Sequence, residues 1–255
     1  MKVAKHHNHK WLGSLMMVMA TGMLAVPAHA YRPFDGTDAS VAEPGIFELE
    51  LGPLGYVKNG TDRTLVVPSF VANFGFDGNT EIVLEGRINH LIAANDVRYQ
   101  TSLGDTALSV KHLFRTGNLQ DGGSGVSIAA ECGVLLPEIH GVSGNGATCA
   151  GIISHRFNVA TVHLNAALTR TRAQNAARFL GLIIEGDAEE KVRPVAETYI
   201  ERDKSGGRTG SVLVGMIWKH SEDLSFDVAL RRASSSGENI SELRAGLTWS
   251  YAMHK

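Results

Sequence analysis

The chain has 255 residues, a formal net charge of −2 and 44% hydrophobic residues. This balance leaves no basic footprint for nucleic acid, so no nucleic-acid partner is expected. After residue 30 no stretch approaches the roughly 20 consecutive apolar residues of a membrane-spanning helix, so the body of the chain is soluble, lipid-anchored or a β-barrel.

Residues 1–30 read as a secretion signal. Lys2, Lys5 and Lys10 open the chain, an apolar run follows from Trp11 to Val26, and Ala28 and Ala30 fit the small-residue cleavage rule. The expected mature start is Tyr31, and the alternative is an N-terminal anchor that stays attached. His6, His7 and His9 lie in the segment to be removed and are set aside as a metal tract. A lipid anchor wants a cysteine just after the cleavage point, where Tyr31 stands instead. The remainder, 31–255, is expected to form one domain.

From residue 45 onward the pattern has period two. Ile82, Leu84 and Ile88 fall on one side of a segment, and Glu81, Glu85, Arg87 and Asn89 on the other. Leu224, Phe226, Val228 and Leu230 oppose Ser225, Asp227 and Arg231. Leu243, Leu247, Trp249 and Tyr251 oppose Glu242, Arg244, Thr248 and Ser250. Only a strand separates such sets cleanly, because successive side chains point to opposite faces.

The pattern predicts strands over 45–52, 64–76, 80–90, 104–113, 125–136, 147–157, 159–171, 177–187, 193–201, 208–219, 223–232 and 241–252. Most have about the 9–11 residues that a tilted strand needs to cross a bilayer. The 28 glycines and only 7 prolines suit many strands and turns. The expected fold is all-β, a transmembrane antiparallel β-barrel of about twelve strands.

The links support this reading. With an even strand number both ends of the barrel chain lie on the periplasmic side, where turns are short. Asp77-Gly78-Asn79, Asn158, Ala188–Val192 and His220-Ser221-Glu222 are short, whereas Pro53–Arg63, Leu91–Leu103, Pro137–Gly146 and Ala233–Ile240 are long. Arg172–Ala176 is a short outer link. Phe114–Ser124 breaks the rule as a long, glycine-rich periplasmic link. Phe47, Phe74, Phe76, Trp218, Phe226, Trp249 and Tyr251 gather at the periplasmic ends, as an aromatic girdle does, with Phe179 and Tyr199 near the opposite ends.

The words that follow the signal resemble a known family. Arg32-Pro33-Phe34-Asp35-Gly36-Thr37-Asp38-Ala39, then Pro44-Gly45 and Phe47-Glu48-Leu49-Glu50-Leu51-Gly52, are similar to the opening of the outer-membrane family named for the MetA pathway of phenol degradation. The resemblance implies a barrel and uptake of small, often aromatic, compounds. It brings no catalytic residues. Barrels of this kind often end on an aromatic residue, and here Ala252-Met253-His254-Lys255 follow Tyr251.

The candidate lumen residues are Glu48, Glu50, Glu81, Glu85, Arg87, Glu131, His163, Asn165, Glu197, Asp227, Arg231, Glu242 and Arg244. Facing lipid, an arginine or lysine costs about 2–4 kcal/mol near the midplane, so these belong inside. Two readings stay open: a charged constriction that selects solutes, or an ion-paired interior that keeps the barrel closed. No Gly-x-Ser-x-Gly elbow, His-x-x-x-His or Cys-x-x-Cys occurs after the signal, so no catalytic residue, metal site or cofactor is assigned. Cys132 and Cys149 lie on segments flanking one hairpin loop, where an exported protein can form a cross-strand disulfide if they fall opposite. Outer-membrane lipid, the barrel assembly machinery and a small solute are the expected partners. The soluble alternative is a periplasmic β-sandwich or lipocalin-like binder, which buries its apolar face instead of presenting it.

Overall fold

In the computed structural model the described residues are 32–93, 99–120 and 123–253. The expected secretion signal and its cleavage point lie outside them. The chain forms β1 (Ile46–Asn59), β2 (Asp62–Gly75), β3 (Thr80–Ala93), β4 (Thr101–Arg115), β5 (Ser127–Leu135) and β6 (Gly146–Arg156). It continues with β7 (Ala160–Arg170), β8 (Ala176–Gly186), β9 (Val192–Asp203), β10 (Arg208–Lys219), β11 (Leu224–Ser235) and β12 (Glu238–Ala252). Neighbours pair antiparallel, and β1 pairs with β12 to close the barrel. We call the end at which β1 starts and β12 finishes the near end.

Alternation sorts the two faces. On β11, Ser225, Asp227 and Ala229 are buried inside, while Val228 and Leu230 stand outside, Leu230 at 60% exposure. Leu108 and Val110 on β4, Leu164 and Leu168 on β7, and Val212 and Val214 on β10 are likewise outward and exposed. A soluble barrel would have the opposite polarity, with its large apolar side chains inside.

Several predicted boundaries move. The outer link read as Pro53–Arg63 is strand almost throughout. β1 and β2 run on past Pro53 and Pro68 to a tight turn at Gly60 and Thr61. The ladder is shifted between Leu51 and Leu54 and between Val66 and Ser69, which lets prolines that cannot donate sit within strands. The link read as Ala233–Ile240 shrinks to Ser236-Gly237.

Trp218, Trp249 and Tyr251 form part of an outward near-end belt, with ring contacts between Trp218 and Phe226 and between Trp249 and Tyr251. Phe114 and Phe157 extend it. Phe179 and Tyr199 do not belong to an outer girdle. They face inward, with centroids 4.9 Å apart, and the Tyr199 hydroxyl meets Arg231. Cys132 and Cys149 are directly opposed on β5 and β6 and joined by a disulfide on the outward face.

The interior is not uniformly polar. Ile152, Ile183, Leu213 and Ile217 are buried on the inner wall. Three of these, Ile152, Ile183 and Ile217, face the segment that lies inside the barrel.

Candidate functional site: a strap inside the lumen

Residues 32–42 run through the lumen as an irregular strap, turning at 32–33 and bending at 35, 36 and 39, that makes a circuit of the inner wall. From the near end, Ala42 lies against β3, Ala39 against β6, Thr37 against β7, Asp35 and Gly36 against β9, and Arg32 against β1 and β11. The stretch read above only as the word of a family resemblance is therefore a built part of the interior.

Apolar contacts seat it first. Phe34 packs on Val195 of β9 and Ile217 of β10. Ala39 and Val41 pack with Leu113, Leu119, Ala129 and Ile152. Leu119 belongs to the link between β4 and β5, the long link that breaks the short-turn rule. That link bends across the near mouth. Asn118 donates to the Arg156 carbonyl at 2.6 Å and accepts the Arg156 N–H at 3.0 Å. Gln120 donates to the Val41 carbonyl at 2.9 Å. Its length is accounted for by this inward fold.

Missing side chains make room for the strap. A Cβ on Gly246 would lie 2.2 Å from the Arg32 Nε, and one on Gly52 would lie 2.5 Å from its Nη1. The guanidinium occupies that slot and pairs with Asp227 at 3.3 Å while donating to Ser69 at 2.9 Å. A Cβ on Gly75 would lie 2.0 Å from the Glu43 carbonyl oxygen, where the strap leaves the lumen.

Charge then fixes it. Asp35 meets Arg244 at 2.8 Å and Arg231 at 3.0 Å, and both arginines also reach Glu242, at 3.0 and 3.1 Å. The two acids and two bases form a closed set across β11, β12 and the strap. Lys111, wholly buried on β4, lies 3.3 Å from Asp38 of the strap and 3.5 Å from Glu81 of β3. Taking such charges out of water is costly unless each is paired and hydrogen-bonded, so removing the strap leaves the wall cations short of carboxylates.

The candidate lumen residues divide by contact. Glu50, Glu81, Asn165, Glu197, Asp227, Arg231 and Arg244 touch the strap. Glu242 bridges the two arginines, and Glu48 accepts a hydrogen bond from Ser250 at 2.9 Å. Glu85, Arg87 and Glu131 line a cavity of about 400 Å³ on the far side of the strap, walled also by Phe34, Phe70 and Phe179. Arg87 pairs there with Asp105 at 2.7 Å.

His163 sits one step behind the strap. Its Nδ1 is 2.7 Å from the Ser154 Oγ, and its Nε2 is 3.3 Å from Glu185, at ion-pair distance but without hydrogen-bond geometry. Arg193 holds the other Glu185 oxygen at 3.0 Å. Serine, histidine and glutamate thus meet, a grouping that no linear motif signals because it arises from register across three strands. The Ser154 Oγ accepts the Ala39 N–H at 3.0 Å and is fully buried. With the strap in place the serine is committed to it. Sequence reasoning also missed Lys111 and Gln120. A lone lysine inside a predicted strand was the available signal for the first.

No protein-family model matches the sequence, and no curated protein matches it. Solved structures do resemble the fold. An outer membrane channel from Pseudomonas putida F1 superposes with a TM-score of 0.63 at 7% identity, over 86% of this chain and 100% of that one. The NanC porin gives a TM-score of 0.55 at 5% identity, over 80% and 98% of the two chains. The KdgM porin, in complex with disordered oligogalacturonate, gives 0.51 at 11%, over 81% and 99%. The fold is that of outer-membrane channels and porins.

Proposed function

We propose that the protein spans the outer membrane and conducts small solutes through a lumen that the strap of residues 32–42 narrows. The observation that carries this reading is the far-side cavity of about 400 Å³, closed below by strap residues 32–37. A purely structural barrel has no need of a solute-sized chamber. Phe34, Phe70 and Phe179 share that chamber with carboxylates and arginines, a lining that suits small compounds with an aromatic ring and a polar group. The resemblance to the MetA-pathway family points to the same class of solute.

The ion-paired set around Asp35 favours a second reading, a barrel held shut. The two differ in transport. Vesicles carrying the protein should swell faster than empty ones in an isosmotic small neutral solute, and faster still with Asp35→Ala. Equal swelling of all three would refute the channel reading. Cell fractionation should recover the protein with outer-membrane lipid, running with heat-modifiable mobility after insertion by the barrel assembly machinery. Recovery in the periplasm would refute the location. N-terminal sequencing should begin at Tyr31, and a mature protein beginning at Met1 would show that the signal is retained.

A further inference from the structure

The wall also holds the strap by its main chain. Seven strap N–H groups donate to side chains of the wall and of the link between β4 and β5. Arg32 N–H donates to Glu50 at 2.9 Å, Asp35 N–H to Glu197 Oε2 at 2.9 Å and Gly36 N–H to Glu197 Oε1 at 2.7 Å. Thr37 N–H donates to Asn165 at 3.0 Å, Ala39 N–H to Ser154 at 3.0 Å, Val41 N–H to Gln120 at 3.4 Å and Ala42 N–H to Glu81 at 2.7 Å.

Two of these contacts are reciprocal. Asn165 also donates to the Thr37 carbonyl at 2.8 Å, and Gln120 to the Val41 carbonyl at 2.9 Å. Each amide side chain accepts from and donates to the same residue, which is the pattern a neighbouring β-strand offers. The acceptors come from strands and a link far apart in sequence. They converge on a backbone that turns at 32–33 and bends at 35, 36 and 39, alongside the side-chain contacts of Arg32, Phe34, Asp35 and Asp38. Residues 39, 41 and 42 are Ala, Val and Ala, so the polar contacts there are to main chain alone.

We infer that the lumen is a peptide-binding groove, recognising an irregular, bent main chain, and that residues 32–42 are its tethered but exchangeable ligand. The class of ligand it takes in trans is a short peptide with free N–H groups that can follow the same bends. Arg32 and Asp35 at the start set direction, because the first fills the Gly52–Gly246 slot and the second meets the Arg231–Arg244 pair.

The inference rests on the channel reading, since conductance is the readout. A protease site is inserted between Glu43 and Pro44, both exposed, in the full chain. The barrel is assembled, cut and washed, and release of the fragment is followed by mass spectrometry. Conductance should rise on release. A synthetic peptide of residues 32–42 added in trans should restore the low level. The same peptide N-methylated at Gly36, Thr37 and Ala39 should block roughly tenfold or more weakly, having lost three hydrogen bonds. A fragment that stays bound through washing shows that the strap does not exchange and overturns the inference. Conductance that rises but is not lowered by the unmodified peptide overturns the inference and leaves the channel reading intact. Equal block by the N-methylated peptide overturns main-chain recognition. Release with no rise refutes the channel reading itself. If the inserted site prevents assembly, a chain lacking residues 32–42 receives the same two peptides.

Discussion

Gly246 carries as much of the site as any charged residue does. Its missing side chain leaves the slot that Arg32 fills, and the nearest atoms to an added Cβ belong to that flexible guanidinium and not to the backbone. Gly246→Ala should therefore leave the barrel assembled, expel Arg32 and raise conductance. Unchanged conductance in an assembled barrel would mean that the slot does not anchor the strap. Lys111 shows the opposite case. Replacing it with methionine removes the cation that the buried Asp38 and Glu81 carboxylates share. The expected loss is about 3–5 kcal/mol, the usual cost of breaking a buried ion pair from one side, measured by denaturant unfolding in vesicles. A loss below about 1 kcal/mol would contradict the buried geometry. At this scale the sequence was partly legible. Period two placed Asn165 and Glu197 on the inner face, but it could not name Thr37 and Asp35 as their partners, 128 and 162 residues away. Contacts at that separation follow from closure of the whole sheet and leave no local pattern.

Strands were the most legible elements, because one outward apolar face and one inward mixed face repeat around the barrel. The contrast can be tested on two opposed positions. Leu230→Arg places a charge on the outward face of β11, whereas Thr169→Arg points into the far-side cavity. The first should impair insertion, with a penalty of about 2–4 kcal/mol near the midplane, and the second should insert normally. Equal insertion of both would show the faces to be reversed. Links were less legible than strands. Gly60-Thr61 and Ser236-Gly237 are tight turns at the tips of strands longer than alternation suggested, because exposed strand tips lose the strict apolar rhythm. The link between β4 and β5 stood out by length alone. Its inward fold depends on Leu119 finding Ala39 and Val41, residues the pattern left outside any element. Register across β5 and β6 sets Cys132 against Cys149. Mass spectrometry of the non-reduced protein should find no alkylatable thiol, and two free thiols would remove the bridge from the account.

The molecule as a whole is a closed wall with its own segment folded inside. The outer face is apolar as lipid requires. The inner face is a patchwork of apolar spots, carboxylates and arginines that makes sense only with the strap in place. Val195 and Ile217 look misplaced on an aqueous wall and are explained by Phe34. The strap separates the far-side cavity from the near mouth, where the link between β4 and β5 braces it. Transport on this account requires the strap to move or leave. Single-channel recording tests that directly, comparing the intact chain with one lacking residues 32–42 in planar bilayers of the same lipid. The shortened chain should conduct several-fold more than the intact one, and equal conductance of the two would contradict a strap-narrowed lumen.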